Sequence, residues 1–103
     1  MQNNSKNSKL RVISTVEVKE GKRQELLDIL VPFVGIARKE EGNISYDIYS
    51  STENPNEFLG DHLWSSKEAF DKHSKSQEAY KLREANNSLS VKPLQIKTYT
   101  EVK

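Results

Sequence analysis

No cysteine occurs anywhere in the chain, which excludes disulfides, thiolate metal sites and a cysteine nucleophile and agrees with a reducing, cytoplasmic setting. Long apolar runs are missing as well. Nothing approaches the roughly 20 residues that span a bilayer, and the N-terminus lacks the apolar segment of a signal peptide, so a soluble protein without a membrane partner is expected. Nor is there an excess of one charge: 16 Lys and Arg against 15 Asp and Glu give a formal charge of +1. That balance offers no basic surface for a polyanion, so no nucleic acid is expected as a partner. The phosphate-loop, dinucleotide, nucleophile-elbow and HExxH patterns are all absent.

What is present fits one small domain. At 103 residues only about two thirds of the unfolded surface can be buried. With 34% hydrophobic and 30% charged residues the core is thin, and a partner subunit covering one more face would help. The opening MQNNSKNSK has nothing to bury, so residues 1–9 read as a disordered tail and residues 10–103 as the domain. LRVISTVEV, residues 10–18, reads as a first strand, because it is rich in β-branched residues and Leu10, Val12, Val16 and Val18 share one parity. Leu26, Leu30, Phe33 and Ala37 then recur at helical spacing, predicting a helix over 22–40 that Pro32 kinks and Gly42 ends.

Ile44, Tyr46 and Ile48 alternate with Ser45, Asp47 and Tyr49 in a second strand over 43–51, and TENPN supplies a turn before a third strand over 57–64. Ser65 followed by Glu68 fits a capping box that opens a helical region, with a second start near Ser76 and a break near 74–76. Pro93 precedes the last strand, 94–102. The order βαββαβ with right-handed crossovers predicts an α+β, ferredoxin-like fold, a four-stranded antiparallel sheet with its helices on one face. The uncovered face predicts a homodimer.

Strand three, FLGDHLW, carries the candidate chemistry. Its period of two sets Phe58, Gly60, His62 and Trp64 against Leu59, Asp61 and Leu63. If the even face lies under the helices, Gly60 leaves space and Trp64 a flat wall beside a titratable His62, while Asp61 belongs with the dimer face. His73 on the second helical region is the other candidate proton carrier, and Arg83 is placed to hold an anionic oxygen. Against these stand plainer roles: His62 as a bonded core residue, His73 as a capping group, Arg83 as a solvated partner of Glu84, and Tyr46 and Tyr49 as packing residues on opposite faces. The spacing of the two histidines matches no compact metal-ligand pattern, so no metal is expected.

EEGNISYDIYSS and NEFLGDHLWSSKEAFDKHSKSQEAY together resemble the antibiotic biosynthesis monooxygenase domain, in which an E-x-G-x-x-x-Y strand is followed by a strand ending in Trp, then S-x-E-A and a His. The resemblance covers roughly residues 10–102. It implies a dimeric α+β barrel, a pocket between sheet and helices, and cofactor-free oxidation of anthrones or quinols by molecular oxygen. Its tryptophan falls on Trp64, its helix histidine on His73 and the arginine of an L-R-E segment on Arg83. Gly60 stands where anthrone-oxidising members have asparagine, Phe70 where they have tyrosine, and His62 where many relatives have Glu.

On this reading His62, with His73 as the alternative, takes a substrate proton and Arg83 stabilises the oxyanion. Gly60, Trp64, Phe70 and Tyr46 shape the site for a small aromatic, quinol-like substrate and molecular oxygen. Haem-degrading relatives carry an iron-ligating histidine near position 83, which this chain lacks. Two other readings stay open: proton-transfer isomerisation of a small phosphorylated or carbonyl compound, and a non-catalytic dimeric module that binds a small molecule.

Overall fold

The computed structural model describes residues 8–103, so of the tail expected over 1–9 all but Ser8 and Lys9 lies outside the described residues. In chain order the elements are β1 (Leu10–Glu17), α1 (Arg23–Ala37), β2 (Asn43–Ser50), β3 (Glu57–Trp64), α2 (Lys67–Ser74), α3 (Gln77–Leu89) and β4 (Gln95–Thr100). The four strands form one sheet in the order β2-β3-β1-β4, every neighbouring pair antiparallel. This is the ferredoxin-like α+β fold. Among the described residues no helix is long and apolar enough to cross a membrane.

Period-two patterning fixes which face is covered. Leu10, Val12 and Val16 of β1 and Phe58, His62 and Trp64 of β3 are buried, and they pack with Leu26, Leu30, Phe33, Val34 and Ala37 of α1 and with Ala79, Leu82 and Leu89 of α3. The cross-strand register aligns them in rows: Val12 and Tyr46 flank His62, and Ser14 and Ile48 flank Gly60. The odd residues of β3 look the other way, and there Asp61 is paired with Arg11 at 2.7 Å.

Three local expectations shift by a few residues, each for a physical reason. The cap of α2 is Ser66, whose Oγ accepts from the Ala69 amide at 3.1 Å; its third helical position is therefore Ala69, and no capping box with Glu68 forms. Ile44 leaves the predicted alternation because the β2–β3 register shifts between Asn43 and Ser45, and its side chain is exposed while Tyr46 is restored to the buried row. Helix α1 runs through Pro32 and ends at Ala37, five residues before the glycine expected to stop it. Pro32 lies on the exposed side of α1, as does Asp28, where water can bond the carbonyl that proline leaves unpaired. The break between α2 and α3 falls where expected, with Ser76 capping α3 by accepting from the Ala79 amide at 3.1 Å.

Gly42 serves the turn into β2 instead. Its φ of +86° lies in the left-handed region, and a Cβ there would stand 2.4 Å from the Ala69 Cβ. The glycine lets the turn and α2 touch.

Candidate functional site

Between the helices and the sheet lies a cavity of about 70 Å³ with a mostly apolar lining. Its sheet side is formed by the Ser14–Gly60–Ile48 row and the adjoining His62 and Tyr46; its helix side includes Phe33, Phe70, His73, Arg83 and Asn86. Of the residues singled out in the sequence, Tyr46, Gly60, His62, Phe70, His73 and Arg83 are all brought to this one space. Trp64 is not. It is fully buried behind the histidines, so it is a support and not the expected wall. The space expected above Gly60 is partly taken by its neighbour, since a Cβ there would meet Ser14 Oγ at 2.5 Å.

Trp64 acts through the two imidazoles. Its Nε1–H donates to His62 Nδ1 at 2.8 Å, and its ring lies 4.6 Å from that of His73. An indole N–H can only donate, so His62 Nδ1 is the acceptor and the neutral ring carries its hydrogen on Nε2. His62 also stacks on Tyr46 at 4.1 Å with 14° between the rings. Burial, with His73 adding, pushes the His62 imidazole down to about 4 from its ordinary 6.5, against a smaller upward pull from Asp61. Burial also raises the Tyr46 phenol well above its usual range, and Glu40 adds to this, so Tyr46 keeps its proton.

His73 has the opposite arrangement. Its Nδ1 lies 2.5 Å from Glu40 Oε1. A carboxylate accepts, so Nδ1 holds the hydrogen and Nε2 of the neutral ring keeps its lone pair. His73 itself is 6% exposed and borders both the cavity and a second recess lined by Glu40, Glu41, Lys72 and Ser76. Arg83 is half-buried, and its Nη1 donates to the Ser74 carbonyl at 3.0 Å, tying α3 to the end of α2 and leaving its other N–H groups for the cavity. Among the described residues no group of three or more His, Asp or Glu could hold a metal.

The E-x-G-x-x-x-Y pattern thereby acquires a physical meaning: Glu40 orients His73, Gly42 admits Ala69, and Tyr46 stacks on His62. Glu40 was legible as the first residue of that pattern, though not as a partner of a histidine 33 positions away. Asn86, three residues after Arg83 and thus on the same side of α3, is a further cavity residue that sequence reasoning missed.

Folding should register the state of His62. The unfolded ring takes a proton near 6.5 and the folded ring only near 4, so between those values the unfolded state binds more protons and stability falls as pH falls. The loss through that window is expected to be about 3 kcal/mol. Urea unfolding at pH 7, 5.5 and 4.5 measures it, and His62→Phe should flatten the dependence; an equally steep fall in the variant would assign the acid sensitivity to other groups.

The sequence model of one family, antibiotic biosynthesis monooxygenase, matches residues 10–85. An uncharacterised protein of Synechocystis is 31% identical over 88 residues, covering 85% of this chain and 60% of the relative, so the chain spans about three fifths of that protein's length. Among solved structures, a conserved protein from Methanosarcina mazei has a TM-score of 0.85 at 26% identity, with 90% of this chain and 92% of that one covered. A variant of SnoaB, a cofactor-independent oxygenase from Streptomyces nogalater, has a TM-score of 0.81 at 13% identity, with 92% and 94% covered, and shows the same fold.

Proposed function

Since the chain belongs to the antibiotic biosynthesis monooxygenase family, we propose that it oxidises a small electron-rich aromatic, a hydroquinone-like ring, with molecular oxygen and without a cofactor. The observation that carries this reading is the pair of buried histidines on one cavity, held in opposite tautomers by Trp64 and Glu40. The cavity's 70 Å³ is well below the roughly 300–1,000 Å³ of most small-molecule sites, which favours a single ring over a fused polycycle.

The division of labour follows from the tautomers and reverses the sequence-based preference for His62 as base. His73 Nε2 takes the phenolic proton, and Glu40 stabilises the imidazolium that forms. His62, uncharged down to about pH 4, offers Nε2–H to the developing oxyanion, and Arg83 adds its charge. The phenolate is a far better electron donor than the phenol, so it can pass one electron to triplet oxygen. The radical pair then joins through a new C–O bond, and loss of water leaves one oxygen atom on the ring. In balance, the substrate gives up two hydrogens and gains one oxygen, and the second oxygen atom departs as water. A mostly apolar lining suits this step because bulk water would stabilise the substrate anion and reduce its donor strength.

Oxygen uptake with a panel of monocyclic hydroquinones tests the proposal, the expected result being one oxygen consumed per product formed. Conversion that continues without oxygen would instead support proton-transfer isomerisation, and binding without turnover would support a sequestering module. The open sheet face, with Leu59, Leu63, Tyr49 and Tyr99 around the Arg11–Asp61 pair, supports pairing with a second copy of the chain. Sedimentation should show a dimer, and a monomer at high micromolar concentration would refute it.

A further inference from the structure

Asn86 is 4% exposed, it lines the cavity, and its Oδ1 has no hydrogen-bond partner among the described residues. A buried amide oxygen without a donor is costly, and such groups in folded proteins are rare unless a ligand or water completes them. Nothing else about the position needs an amide. The neighbouring helix positions that face inward, Leu82 and Leu89, are apolar, and an isosteric leucine at 86 would pack without the penalty.

We infer that Asn86 is a specificity-determining residue that accepts a hydrogen bond from a hydroxyl on the ligand ring. Arg83, one turn earlier on the same helix and on the same cavity, brings N–H donors to the same side. A hydroxyl both donates and accepts, so it can meet the carbonyl of Asn86 and the guanidinium of Arg83 together; a methyl group of the same size meets neither. The inference rests on the reading that this cavity is the substrate site, and it narrows the substrate to a ring that keeps one protonated hydroxyl while another group yields its proton. The competing account is structural. Ser90, one turn further on, also has an unpartnered buried Oγ, and a water bridging the two would make Asn86 a fold residue; but Ser90 does not reach the cavity.

Equilibrium binding, in the absence of oxygen, of hydroquinone and of para-methylphenol, which keeps one hydroxyl for His73 and carries a methyl group in place of the other, to the wild-type chain and to Asn86→Leu decides the matter without any turnover. The wild type is expected to prefer hydroquinone over para-methylphenol at least tenfold, Asn86→Leu to bind both within about threefold, and the variant to melt at the same temperature or higher because an unpaired polar atom has been removed. A preference that survives in Asn86→Leu, or a variant that melts well below the wild type, would overturn the inference. Discrimination by Asn86 in a chain that oxidises no hydroquinone would leave the subsite standing and remove the oxidation; oxidation with no contribution from Asn86 would do the reverse.

Discussion

His73→Ala is expected to lower the turnover of hydroquinone oxidation by about a hundred- to ten-thousand-fold, the contribution of a positioned proton acceptor. The effect should fall on kcat more than on KM, because the lone pair on Nε2 engages the substrate proton chiefly as it leaves. Glu40→Gln gives the graded comparison. Its amide oxygen can still accept from Nδ1 and so preserve the tautomer, but it no longer offsets the imidazolium charge, and a loss of about ten- to a hundredfold is expected. His62→Gln retains a hydrogen-bond donor and should cost less than His73→Ala. Steady-state oxygen uptake across pH, with circular dichroism confirming that each variant is folded, separates these effects. Turnover by His73→Ala within about threefold of the wild type would place the base elsewhere.

Gly42→Ala is expected to destabilise the chain by about 2–5 kcal/mol, from two costs that a second glycine allows to be separated. The first is conformational: at φ +86° an alanine pays about 1–2 kcal/mol for the left-handed backbone. The second is steric. The added carbon would stand 2.4 Å from the Ala69 Cβ and 3.0 Å from Ser65 Oγ, so α2 or the turn has to move, at roughly 1–3 kcal/mol. Gly21 shares the backbone, with φ +83°, but nothing lies within 4 Å of its missing carbon, and Gly21→Ala should show the conformational cost alone. Urea unfolding of both variants compares them; equal losses would mean that the contact with α2 is not felt. Because Gly42 stands between Glu40 and β2 while Ala69 shares α2 with His73, a displaced α2 should also stretch the Glu40–His73 bond, so activity is expected to fall with stability only in Gly42→Ala.

The element order, the parity of β1 and β3 and the break after α2 were all determined by sequence, because each is a local property: a period of two, a period near 3.6, or a serine able to cap a helix. Short-range geometry also explains the small misses. Ser65 and Ser66 are equivalent as letters, and only the turn leading out of β3 decides which presents its hydroxyl to the first helical turn. The bulge that expels Ile44 depends on the register against β3, which no window on β2 alone contains. The chemistry of the site was least legible. His62 and His73 were visible as candidates, but their roles depend on which ring nitrogen holds the hydrogen, and that is set by Trp64 for one and by Glu40 for the other. Glu40 meets its partner only because α2 packs back over the turn that Gly42 opens, and Asn86 becomes conspicuous only once the atoms around it are seen to leave it unpaired. Sequence thus determined the scaffold and the residues it could carry; tertiary structure decided donor, acceptor and support among them, since hydrogen-bond direction is a property of neighbours brought together from distant parts of the chain.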